Sequence, residues 1–174
     1  MSALVLIGPP AAGKTTVGRE LAGLLRVEFM DTDEMVAERA GRPIGEIFTR
    51  DGEAAFRAME RTAVLDALGE AQERPLVVAV GGGAPMDPVV AADLADRPAA
   101  VVFLDISAAL AARRVGLGAT RPLLSDSPRK IWRELMARRR PRYEELATAR
   151  VEVDGKPATV VAEEIARLVM AKET

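Results

Sequence analysis

Gly8-Pro9-Pro10-Ala11-Ala12-Gly13-Lys14-Thr15-Thr16 spells G-x-x-x-x-G-K-[ST], and its flanks decide the fold. Upstream, Ala3-Leu4-Val5-Leu6-Ile7 is a short apolar run, rich in branched residues, that suits a strand buried on both faces. Downstream, Val17 to Leu25 carries apolar residues at helical spacing. Strand, glycine loop and helix in that order form the context in which such a loop holds phosphate. The amides from Ala11, Ala12 and Gly13 through Lys14, Thr15 and Thr16, at the positive end of the helix, would converge on phosphate oxygens. Lys14 would reach the outer phosphates and the Thr15 hydroxyl would sit on Mg2+. The plainer alternative is a Gly-Pro turn leading into a helix, and the intact flanks argue against it.

Further apolar runs at Val27 to Met30, Leu76 to Val80, Ala99 to Leu104 and Val151 to Val153 bring the expected strands to five. Helical patterns separate them, which predicts an α/β fold with a mainly parallel sheet covered on both faces. Ligands then collect beyond the carboxyl ends of the strands. Function is therefore expected at Gly8 to Thr15, Asp31 to Asp33, Gly81 to Gly83 and Asp105. Thr32 to Ala71 has no strand signal and is expected to hold three inserted helices, broken at Gly41-Arg42-Pro43 and Asp51-Gly52. Gly116 to Pro122, with two glycines and a proline, is expected to be irregular: a mobile lid or an ordinary surface loop.

The chain has 174 residues, which fits a single domain able to bury roughly 70% of its unfolded surface. A net charge of −2 argues against a protein that coats nucleic acid. No apolar run approaches the ~20 residues of a membrane span, and no signal peptide is visible, so a cytoplasmic protein is expected. The absence of cysteine and histidine is more restrictive. It excludes disulfides, thiol nucleophiles, thiolate metal sites and imidazole acid–base chemistry. Carboxylates, Lys, Arg, hydroxyls, amides and a hard metal ion remain, which is the inventory of phosphoryl transfer.

Within that inventory, Asp31 can hold metal-bound water while Asp33 accepts a proton from a substrate hydroxyl. Asp31 and Glu34 also resemble a capping box, which would make them helix-start residues. Arg57 stands between Glu53 and Glu60 at helix-surface spacing, or it grips a substrate carboxylate in two-pronged fashion. Spacing leaves both open. Gly81-Gly82-Gly83 either admits a ligand close to the backbone or is a flexible turn. Strand three lacks a terminal Asp, so Asp31 is the substitute metal-side carboxylate. Arg138-Arg139-Arg140-Pro141-Arg142 is a basic cluster that most often marks a solvated face. Arg121 can cover phosphates, and Arg113 or Arg114 can lie on adenine.

Taken together, these motifs resemble the shikimate kinase family over nearly the whole chain. The resemblance rests on the Gly-Lys-Thr-Thr loop, Asp31-Thr32-Asp33, Ile44-Gly45-Glu46-Ile47-Phe48, Gly52-Glu53 with Phe56-Arg57 and Glu60, Gly81-Gly82-Gly83, and Arg121-Pro122-Leu123-Leu124. It implies a P-loop kinase fold: a five-stranded parallel sheet flanked by helices, an inserted helical substrate-binding region and a lid. The core would be residues 1–31, 72–112 and 128–174, the substrate region about 32–71 and the lid about 113–127. It also implies transfer of the γ-phosphoryl group of ATP to the 3-hydroxyl of shikimate, with Mg2+; a monomer is expected because no dimerisation stripe is visible in the sequence. Asp33 matches the family's base, and Arg57 and Arg139 match its carboxylate clamp. Gly81, Gly82 and Gly83 match its pocket lining. Arg121 matches its lid arginine, Arg114 and Lys156 its adenine neighbours, and Thr15 and Asp31 its metal side. The family usually has glycine where Ala11 stands, and the choice of Arg139 over Arg138 or Arg140 rests on register from Pro141 and Tyr143. The alternatives are a gluconate kinase-like enzyme and an inactive nucleotide-binding relative.

Overall fold

A computed structural model describes residues 3–96, 100–118 and 127–172. Five parallel strands, β1 (Leu4–Ile7), β2 (Glu28–Asp31), β3 (Leu76–Ala79), β4 (Ala100–Asp105) and β5 (Ala149–Glu152), lie in the order β2-β3-β1-β4-β5. The helices are α1 (Lys14–Leu25), α2 (Thr32–Ala40), α3 (Ile44–Asp51), α4 (Glu53–Glu73), α5 (Pro88–Asp96), α6 (Ala108–Gly118), α7 (Pro128–Leu146) and α8 (Ala158–Lys172). Central β1 and β3 are buried at every residue, as their unbroken apolar runs demand, whereas outer β2 and β5 include exposed positions. Among the described residues, no helix is long and apolar enough to cross a membrane.

Register brings the chemistry to one edge. Asp31 pairs with Ala79, Leu6 with Ala79 on the other side, and Ile7 with Phe103. The residues that follow β1, β2, β3 and β4 therefore emerge together, where helix starts and loop amides can face a ligand.

Three inserted helices occupy the stretch after β2, with breaks where the glycines lie. Gly41 and Gly52 both have positive φ, 67° and 87°. Val36, Ile47, Phe56 and Ala63 form a small core for this region, separate from the main core around the sheet.

Several boundaries differ from the sequence expectation, among them a third inserted helix that runs on to Glu73. Strand two starts at Glu28, because Val27 donates its amide to Ala22 at the end of α1. Strand five begins at Ala149, where Ala-Arg gives no apolar signal. Helix α6 runs through Gly116 to Gly118, so the first residues assigned to the lid are helical. Glycine weakens a helix by about 1 kcal/mol per residue but does not stop one. The remainder of the expected lid, Arg121 included, lies outside the described residues.

Candidate active site

The loop after β1 curls around the start of α1. Gly8 has φ 145°, and a Cβ there would stand 2.7 Å from the Leu104 carbonyl oxygen, so the first glycine is sterically required. Lys14 Nζ donates to the carbonyls of Gly8 and Pro9, at 2.7 and 2.9 Å. Burial, with nearby Arg139 adding to it, lowers the Lys14 ammonium to about 8, against the pull of Asp33 and Asp31. Pro10, Lys14, Thr15, Asp31, Asp33 and Val80 line a cavity of about 270 Å³, with Thr16 at its exposed rim.

Ala11 holds φ 68°, a left-handed conformation that costs a non-glycine residue about 1–2 kcal/mol. Glycine would relieve that strain while adding about 0.4–1 kcal/mol of unfolded-chain entropy. Ala11→Gly is therefore expected to raise the melting temperature slightly, by about 1–2 °C in a thermal scan. A lower melting temperature would mean that the Ala11 methyl group contributes packing that outweighs the strain.

Asp31 is a helix-start residue whose second oxygen engages the phosphate loop. Its Oδ1 accepts the amides of Asp33 and Glu34, at 2.9 and 3.2 Å, and so caps α2, while Oδ2 accepts the Thr15 hydroxyl at 2.6 Å. Glu34 does not close a capping box and instead pairs with Arg19 across to α1. Thr15 and Asp31 thus present two hard oxygen donors at the loop, the donor type that suits Mg2+. Among the described residues, no group of three or more His, Cys, Asp or Glu could hold a metal ion alone. A metal here would have to complete its shell with phosphate oxygens and water, as Mg2+ commonly does.

Asp33 follows one residue into α2, half-buried. Burial, with the charges of Asp31 and Glu60 added, raises its carboxyl from 3.8 to about 6, despite Lys14 and Arg57. No side-chain hydrogen bond engages that carboxylate among the described residues.

The glycines of the 81–83 run make room for four charged side chains. A Cβ on Gly81 would stand 2.5 Å from Glu60 Oε2 and 2.7 Å from Asp33 Oδ1. On Gly82 it would meet Arg139 Nη1 at 3.1 Å, and on Gly83 it would meet Arg57 Nη1 at 2.4 Å. The run is therefore a close-approach surface rather than a loose turn. It is held from two sides: the Gly81 amide donates to Thr32 Oγ1 at 3.1 Å, and the Tyr143 hydroxyl donates to the Gly82 carbonyl at 2.6 Å.

Arg57 pairs with Glu60 at 2.8 Å and more loosely with Glu53 at 3.7 Å. Glu60 is only 3% exposed, so the pair is no surface ornament. Of the arginine cluster, Arg139 faces Gly82, Arg138 is exposed, and Arg140 turns away to Asp105. Asp33, Arg57, Arg139 and Lys14 are thus brought together. Arg114 lies apart, donating to the Ala11 carbonyl at 2.7 Å from outside the loop. Lys156 is clasped by Glu164 of α8 at 2.7 Å. Arg121 is outside the described residues.

Sequence reasoning on the residues alone missed Glu60 and Tyr143 as members of this site. Glu60 was visible only as an i+3 partner of Arg57, and Tyr143 as an i+4 neighbour of Arg139; neither spacing tells which face is buried.

Comparison with known proteins agrees with this geometry. A family model described as shikimate kinase matches residues 10–170. Shikimate kinases of Salinispora arenicola and Thermobifida fusca are 49% and 47% identical, covering 96% and 94% of this chain and 97% and 92% of their own length. A solved shikimate kinase from Acinetobacter baumannii in complex with shikimate is similar with a TM-score of 0.90 at 34% identity, over 99% of this chain and 94% of that one. A P-loop kinase fold, a phosphate loop beside an acid–arginine pocket, and relatives of this similarity over the full length lead to one statement: the chain belongs to the shikimate kinase family.

Proposed function

We propose that this enzyme transfers the γ-phosphoryl group of ATP to the 3-hydroxyl of shikimate, giving shikimate 3-phosphate and ADP. The observation that carries the reading is the meeting of one raised-pKa carboxylate and two arginines on a side-chain-free strand end beside Lys14. Arg57 and Arg139 grip the substrate carboxylate, which orients the ring. Asp33 accepts the proton of the attacking hydroxyl, a role that suits a carboxyl near 6 because it is ionised yet basic at neutral pH. Lys14 leaves the loop carbonyls and follows the transferring charge, while the loop amides hold the remaining phosphate oxygens. Thr15 and Asp31 would hold Mg2+, which would neutralise the charge on the phosphates. Arg121 from the lid and Arg114 and Lys156 beside adenine complete the nucleotide contacts. We take the enzyme to be a cytoplasmic monomer acting on two small molecules, without nucleic acid, in keeping with a net charge of −2.

The test is an ADP-release assay with shikimate, gluconate and nucleoside monophosphates as acceptors. Rapid turnover with shikimate alone is expected, at least a hundredfold above the others. Equal turnover with gluconate would remove the assignment, and ATP binding with no turnover on any acceptor would leave only a nucleotide-binding protein.

A further inference from the structure

We infer that Asp105 is a positioning residue for the acid-binding pocket: by pinning Arg140, it sets the rotation of α7 that turns the adjacent Arg139 onto Gly82. The inference deepens the proposed function and rests on Arg139 gripping the substrate carboxylate.

Asp105 ends β4 and is only 7% exposed. Arg140 holds it with both prongs, Nη1 to Oδ2 and Nη2 to Oδ1, each at 2.9 Å. Arg150 of β5 adds Nε to Oδ2, also at 2.9 Å. A bidentate arginine–carboxylate pair restricts direction as well as distance, so the pair fixes how α7 is turned about its axis. The Arg140 guanidinium also lies over the Phe103 ring, 5.5 Å from its centre, and that ring packs at 5.2 Å on Tyr143.

Consecutive helix residues point about 100° apart, whereas residues four apart share a face. With Arg140 locked on Asp105, Arg139 and Tyr143 are presented to the glycine run together. Without the lock, the helix still has Trp132, Met136 and Tyr143 buried against the core, so it stays folded. What it loses is the restraint beside Pro141, a residue that has no amide to donate within the helix. Neither Asp105 nor Arg140 lines the cavity at the phosphate loop. Their effect on the pocket is therefore indirect, through the side chains that α7 presents to Gly82, and a double-variant cycle isolates the part carried by Arg139.

Steady-state kinetics on wild type, Asp105→Asn, Arg139→Ala and the double variant test this as a cycle. Arg139→Ala should raise KM for shikimate at least tenfold. Asp105→Asn should raise it about fivefold, with kcat and KM for ATP unchanged within twofold. In the Arg139→Ala background, Asp105→Asn should change KM for shikimate by less than twofold. A full fivefold rise in that background, or an equal effect on ATP and kcat, would overturn the inference by making Asp105 a general support of the fold. If Arg139→Ala raises KM and Asp105→Asn does not, the inference fails while the proposed function stands. If Arg139→Ala has no effect, both fail. Should Asp105→Asn not fold, Arg140→Met leaves Asp105 paired with Arg150 and must give the same shikimate-specific rise. An unchanged KM in Arg140→Met overturns the inference.

Discussion

Asp33→Asn is expected to lower kcat about a thousandfold, leave ATP affinity within about threefold, and raise the melting temperature of the ligand-free protein by about 5 °C at pH 7. The loss follows from removing the proton acceptor, whose contribution is of the order of 10²–10⁴ in such reactions. The gain in stability comes from the same carboxylate. Its folded pKa is about 6 and its ordinary value 3.8, with burial as the main cause. Between those two values the folded protein keeps a proton that the unfolded chain has released, so stability falls as pH rises through that window. Above pH 6 the full penalty, on the order of 2–3 kcal/mol, is present; below 3.8 it is gone. A neutral asparagine escapes it. The wild-type kcat/KM should likewise fall below about pH 6, where the base in the free enzyme takes up its proton. Thermal scans with and without the substitution, together with single-turnover rates, measure both arms. Near-normal kcat would reduce Asp33 to a helix-start residue, and a lower melting temperature would mean that its charge is supported rather than strained.

Arg57→Ala is expected to raise KM for shikimate about a hundredfold, since a charge-assisted hydrogen bond to a carboxylate is worth about 1.5–3 kcal/mol. It should also destabilise the fold by about 2 kcal/mol, because Glu60 is 3% exposed and would keep its charge without its 2.8 Å partner. The two effects separate on adding Glu60→Gln. Neutralising the orphaned acid should return most of the stability and leave KM high. Chemical denaturation and steady-state kinetics on the single and double variants give the comparison. A KM within threefold of wild type would return Arg57 to the role of a helix-surface partner.

The parts of the site legible in the sequence are those whose chemistry is local. A phosphate loop is a contiguous backbone shape, so Gly8 to Thr15 announces itself. Strands β1, β3 and β4 are buried on both faces, and continuous apolar runs report that directly. The outer strands are partly exposed and give weaker apolar runs, so their boundaries are less legible. The illegible parts depend on rotation and burial. The three consecutive arginines do not themselves say which faces Gly82; only the register from Pro141 and Tyr143 chose Arg139, and the carboxylate that holds Arg140 is 35 residues away on a strand. Glu60 has an ordinary helical spacing to Arg57, and only the packing of α4 against Gly81 makes it a buried acid. The Asp31 ambiguity was real: one oxygen caps the helix and the other takes the Thr15 hydroxyl.

Two hydroxyls grip the glycine run on either side of the Gly81–Gly82 peptide, Thr32 on the Gly81 amide and Tyr143 on the Gly82 carbonyl. Thr32 is the immediate neighbour of Asp33, and Tyr143 stands one helical turn beyond Arg139. On the proposed roles, the proton acceptor and the acid grip are therefore both measured from a common datum, although α2 and α7 lie far apart along the chain. The span between reacting alcohol and anchored carboxylate is gauged by a single stretch of main chain, and neither helix can drift without that ruler registering it.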